Sequence, residues 1–157
     1  MAYGTDAGFT DYFTDRGIDV SGVDIPVARV VGGDYVDARF GACLAGRRTD
    51  GYSQDNEWPR VGAVDQSGLV VPSTLVPNNV IYAAYEAGLI NANDPTALNP
   101  TIALADRKIL SQVDVIKWTV VGDNADLNTH FSRIDDLMAP LIDCEATMGR
   151  APFLGVV

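Results

Sequence analysis

A chain of 157 residues with 47% apolar content supports one domain with a real core, and no second domain is required. Its 11 Lys and Arg stand against 21 Asp and Glu, a net charge of -10, so the average surface repels phosphate backbones and a generic nucleic-acid binder is disfavoured. The first residues carry no basic and then apolar leader, and no run approaches roughly 18 apolar residues, so a soluble, unexported protein is expected.

In chain order, residues 9–17 predict a short helix with Thr10 or Asp11 as its cap and Gly17 as its stop. A second helix, capped by Asp24 with Pro26 in its first turn, runs over 26–40, and Val27, Val30, Val31, Tyr35 and Ala38 form its apolar stripe. Asp34 projects into that stripe, which leaves two readings: Arg47 or Arg48 folds back to pair with it, or it sits at the helix edge in water. Gly32 and Gly33 mark either a close helix crossing or a weak helix, since each costs about 1 kcal/mol against Ala. Cys43 and Cys144 belong to no short ligand spacing and are read as buried thiols.

Residues 41–72 form a long loop and hairpin insertion, the hairpin being signalled by apolar runs at 61–64 and 69–71 around Asp65, Gln66, Ser67 and Gly68. A third helix over 77–90 is apolar nearly all round, with Glu86 its one charge, and a neighbouring subunit is the expected cover. Residues 91–100 are a connector, and 104–121 hold short strands. A last helix over 132–142 has Ser132 as cap, Asp135 at the capping-box position, Ile134, Leu137, Met138 and Leu141 as its stripe, and a kink at Pro140. The expected architecture is therefore mainly α with a small β component: about four helices in a domain over 1–144, then an apolar tail over 145–157 that docks on another surface.

Catalytic groups are not arranged in this sequence. His130 is the one histidine and has no nearby nucleophile except Thr129. Neither phosphate-cradling glycine motif occurs, and residues 123–128 lack the Gly and distal Glu of a calcium loop. Asp135 and Asp136 diverge by about 100° on a helix and cannot share one substrate. No enzyme, metal or cofactor is expected.

The stretch 46–60 is the candidate site, because Arg47, Arg48, Tyr52, Trp58 and Arg60 fall within it. These residue types stack on and clamp single-stranded nucleic acid, and the same types are enriched at protein interfaces. The acidic balance of the chain favours protein contact.

Several segments in order carry a family resemblance: residues 12–17, Asp34 to Phe40, Gly46-Arg47-Arg48-Thr49, Gln54 with Trp58-Pro59-Arg60, Val76-Pro77 opening a helix, and the closing Asp136-Leu137-Met138-Ala139-Pro140-Leu141-Ile142. Over about residues 9–142 the chain resembles a tailed-bacteriophage family often labelled DnaT-like single-stranded-DNA-binding proteins, and similar also to head-tail adaptor (head completion) proteins. The resemblance implies a virion protein, made in the host cytoplasm, that forms a ring of twelve copies beneath the portal and joins it to a tail or neck protein. Genomic DNA would pass through the channel without specific binding. In that reading Arg47, Arg48, Tyr52, Trp58 and Arg60, with Phe153 and Leu154 of the tail, are interface residues. The alternative is a single-stranded-DNA-binding protein of phage replication.

Overall fold

The computed structural model describes residues 2–98, 108–110, 118–120 and 131–143. It is mainly α, with helices α1 (Asp6–Thr14), α2 (Ile25–Phe40), α3 (Asn78–Asn93) and α4 (Ser132–Met138). Two short antiparallel ladders accompany them: β1 (Arg47–Arg48) with β2 (Arg60–Val61), and β3 (Lys108–Leu110) with β4 (Trp118–Val120). The second ladder falls within the span expected to hold strands.

Helix α1 starts one turn earlier than its sequence suggests, because Thr5 rather than Thr10 or Asp11 caps it, accepting from the Gly8 N–H at 3.0 Å. In α2 the Asp24 carboxylate accepts from the Val27 N–H at 3.3 Å and Pro26 sits in the first turn, as expected. Its buried face is another matter. Ala28, Gly32, Gly33, Val36 and Phe40 are buried, whereas Val27 and Val30 are 53% and 43% exposed.

The cause lies at the crossing with α3. A Cβ on Gly32 would stand 1.9 Å from the Ala84 carbonyl oxygen, and one on Gly88 would stand 2.3 Å from the Ala28 carbonyl oxygen. The two backbones approach where side chains are smallest, along rows of every fourth residue. That approach turns the valine face outward. Asp34 stays in solvent with it, so neither Arg47 nor Arg48 pairs with it.

Helix α3 is enclosed by its own chain, and no neighbouring subunit is needed to cover it. Val80, Ala83, Ala84 and Ala87 belong to a core with Val36, Phe40, Trp58, Ile134 and Met138. On its other side Tyr85 joins Phe9, Tyr12, Phe13, Val20 and Ala28, with Ile81, Tyr82 and Leu89 packed against that cluster. Each of α1, α2 and α4 covers part of what one flat partner would leave open.

Helix α4 is shorter than expected. Pro140 converts its end to a turn of 3-10 helix at Ala139–Leu141, and Phe131, not Ser132, occupies the cap position without a side-chain bond. The end of the described chain lies against the start of the loop, through a Leu44–Ile142 bridge and an Asp143 N–H donating to the Cys43 carbonyl. Cys43 is disulfide-bonded rather than a free thiol. The expectations for Cys144, residues 123–128, His130 and the tail with Phe153 and Leu154 lie outside the described residues.

Candidate nucleic-acid interface

The loop after α2 is held by a buried cation. Gly46, at φ +75, lets the chain pass so close to β2 that a Cβ there would meet the Val61 carbonyl oxygen at 2.5 Å. Into this crossing Arg60 donates all five of its N–H groups. Nε reaches the Ala45 carbonyl at 2.9 Å, Nη2 the carbonyls of Leu44 and Gly46 at 3.1 and 2.8 Å, and Nη1 the carbonyl and Oε2 of Glu57 at 3.3 and 2.5 Å. A guanidinium with every donor filled and 6% of its residue surface exposed has nothing left for a partner. Arg60 is a clamp inside the protein, which corrects its assignment to an interface.

Trp58 is likewise internal. It is 3% exposed, belongs to the larger core, and is joined to Pro59 by a cis peptide bond. Its backbone N–H donates to the Tyr3 hydroxyl at 3.2 Å, and that hydroxyl donates to Asp37 of α2. The second Asp37 oxygen accepts from the Glu57 N–H at 3.1 Å. Burial raises the Asp37 pKa, although both of these hydrogen bonds work the other way. The Tyr3 hydroxyl is raised too, first by burial and then by the adjacent Asp37.

Gln54 closes the loop from within. Its amide nitrogen donates to the carbonyls of Asn56 and Pro59 at 2.8 and 3.0 Å, and its oxygen accepts from the Asp50 N–H at 3.2 Å. Thr49 ties the outer edge to the following segment by donating to the Ser73 carbonyl at 3.0 Å.

What this frame presents to solvent is small and specific. Tyr52, on a 3-10 turn at Gly51–Ser53, is 102% exposed. Arg47 is exposed on β1, and among the arginines whose side chains are described it alone has neither an ion pair nor a hydrogen bond. Arg48 lies between these extremes: its side chain is 33% exposed, with Nε 3.3 Å from Glu57 and Nη1 donating to the Gln54 carbonyl at 3.1 Å.

Of the five residues singled out in this stretch, Arg47 and Tyr52 therefore face outward, Arg48 does so in part, and Trp58 and Arg60 do not. Asp37, Gln54 and Glu57 were not among the candidate site residues. Asp37 and Gln54 stand in the segments that carry the resemblance, and the signal for Glu57 is its place three residues before Arg60. Across 46–60 the three arginines are matched by Asp50, Asp55 and Glu57, so the loop is locally neutral in a chain of net charge -10. Among the described residues no cluster of His, Cys, Asp or Glu could hold a metal, and no helix is long and apolar enough to cross a membrane.

The profile of the family described as "Putative DnaT-like ssDNA binding protein" matches residues 2–153. The chain belongs to that family. No curated protein and no solved structure matches it.

Membership in the DnaT-like family overturns the head-tail adaptor reading, with its virion and connector role, its portal and tail partners, its twelve-copy ring and its DNA channel without specific binding. Two physical supports for that reading also fall. The apolar surplus of α3 is covered within one copy. The charge argument averaged over the whole surface, whereas the loop itself is neutral. The family description favours the single-stranded-DNA alternative over a structural adaptor.

Proposed function

We propose that this protein binds single-stranded DNA through the loop at 46–60, with Tyr52 stacking on a base and Arg47 taking a neighbouring phosphate. The outer edge of Arg48 contributes a second phosphate contact. The observation that carries this reading is a fully exposed tyrosine on a turn braced by Gln54 and the Arg60–Glu57 clamp, beside the one described arginine without a partner. A ring held out in water has its whole π face open, and stacking on such a ring contributes about 1–3 kcal/mol per base.

The acidic remainder of the chain then selects between strands. Duplex DNA presents about one charge per 1.7 Å of a stiff rod and must bring many phosphates near the acidic surface. A single strand is flexible and can touch the loop alone. Binding without catalysis is the activity we infer, on single strands of the kind exposed during genome replication.

Fluorescence anisotropy of a labelled oligothymidylate titrated with the protein tests this. The two phosphate contacts of the loop contribute about -1.4 to the slope of log K against log salt for a single strand. Tyr52→Ala should weaken binding about 5- to 150-fold, the equivalent of one lost stack, and Arg47→Ala should reduce the slope by about 0.7. No binding at low salt, or a Tyr52→Ala protein that binds as wild type does, would overturn the reading.

A further inference from the structure

We propose a second phosphate-binding site where α1, α3 and α4 meet, formed by Arg16 and Arg133 around the ring of Tyr12. It takes a phosphodiester of the strand held by the loop, and so rests on the single-strand reading above. The Arg16 guanidinium carbon lies 3.6 Å from the centroid of the Tyr12 ring, and its Nη1 donates to the Tyr12 carbonyl at 2.5 Å. Arg133 reaches the same residue from the other end, its Nη2 lying 3.3 Å from the phenolic oxygen. Tyr82 stacks on Tyr12 at 4.7 Å and 27°, which fixes the ring both arginines address.

The charges in this cluster do not balance. Glu86 accepts from the Tyr12 hydroxyl at 2.7 Å and pairs with Arg133 at 3.3 Å, and it makes no pair with Arg16. Arg16 makes no ion pair, and Asp11 and Asp15 of the same segment are exposed without contacting it. The C-terminal carbonyls of α1 offset about half a charge.

A brace between helices needs only one cation for Glu86. The second, Arg16, is held by the Tyr12 ring and carbonyl without a carboxylate of its own. Arg16 is exposed and the Arg133 side chain is 58% exposed, so both keep N–H groups toward solvent. Two guanidiniums on one rigid ring, both with N–H groups open to solvent, suit a phosphate that accepts from both.

The test is oligothymidylate binding against salt with the full chain, comparing wild type with Arg133→Ser and Glu86→Gln. Arg133→Ser should lower the salt slope by about 0.7 and leave thermal unfolding unchanged, because an exposed pair contributes little to stability. Glu86→Gln still accepts from Tyr12 but no longer competes for Arg133, so it should tighten binding several-fold. A purely structural brace predicts no tightening. If wild type binds in a Tyr52-dependent way while both variants bind as it does, the second site is refuted and the loop reading stands. If wild type shows no salt-sensitive binding, both fail together.

Discussion

Gly32 and Gly33 are neighbours on α2, and replacing each by alanine should shift stability in opposite directions. In an isolated helix either change would add about 1 kcal/mol. At Gly32 the new Cβ meets backbone: the Ala84 oxygen at 1.9 Å, the Gly88 nitrogen at 2.7 Å and the Ala84 carbonyl carbon at 3.0 Å. Ordinary contact begins at 3.4 Å, so the two helices must separate by on the order of 1.5 Å. Carbonyl and amide groups fixed in α3 cannot swing aside as a side chain could. Overpacking of this kind costs about 3 kcal/mol or more, and the gain in helix propensity leaves a net loss of about 2 kcal/mol or more.

At Gly33 the nearest atoms are Tyr3 Cδ2 at 3.4 Å and Asn56 Nδ2 at 3.8 Å, which is ordinary contact, and the propensity gain of up to about 1 kcal/mol survives. Thermal unfolding followed by circular dichroism should place Gly32→Ala about 4–8 °C below wild type and Gly33→Ala about 2–4 °C above it. Equal destabilisation of the two variants would refute the close crossing as the reason α2 buries its glycine face. So would a Gly32→Ala protein as stable as wild type.

Arg60→Ala should cost about 3–5 kcal/mol in urea unfolding, since it leaves the carbonyls of Leu44, Ala45 and Gly46 without their donor and removes one of the two arginines paired with Glu57. Arg60→Lys should recover only part of this, because an ammonium has three donors for five acceptors. Asp37 predicts a pH dependence. Its folded pKa is raised above the ordinary 3.8 by burial, so the native state holds this proton more tightly than the unfolded chain does. The stability this confers is fully present below pH 3.8 and is lost as pH rises through the raised value. Asp37→Asn should remove that decline from a plot of stability against pH in the weakly acidic range, whatever it does to the absolute level. Asp19, Asp65 and Asp94 do not obscure the effect: hydrogen bonds lower their pKa values, so they act below 3.8 and with the opposite sign.

Periodicity made the helices legible, while capping chemistry placed the start of α2 but not of α1 or α4, whose cap positions are held by Thr5 and Phe131, and periodicity failed where backbone met backbone. Asp24 and Pro26 mark the start of α2 because a cap acts within one turn, and any reader of the sequence has all the atoms involved. Which face of α2 turns inward is decided by Ala84 and Gly88, some fifty residues away, and the valines gave a misleading answer because close approach outweighed their burial. The loop shows the same limit. Arginine and tryptophan suit an interface and a clamp equally well as residue types. Only the ring of carbonyls from Leu44, Ala45 and Gly46, brought round by the turn at Gly46, tells them apart at Arg60. Asp37 and Asp34 look alike in sequence, and three positions along a helix put one under the loop and the other in water.

The same distinction explains how an acidic chain can serve a polyanion. Net charge speaks for a surface only if the cations and anions are spread evenly over it, and here they are not. Arg29, Arg39, Arg48, Arg60 and Arg133 are each engaged by a carboxylate of Asp6, Asp135, Glu57 or Glu86. Those pairs fasten helices and loop together, and the unpaired acids that remain repel a stiff duplex from most directions. Arg47 is left over beside the exposed Tyr52, and Arg16 beside Tyr12, so attraction is confined to small spots, each about the size of a nucleotide. A ligand that can bend to reach those spots without laying its other phosphates on the acidic face is a single strand, and stacking rather than charge must then supply most of the affinity.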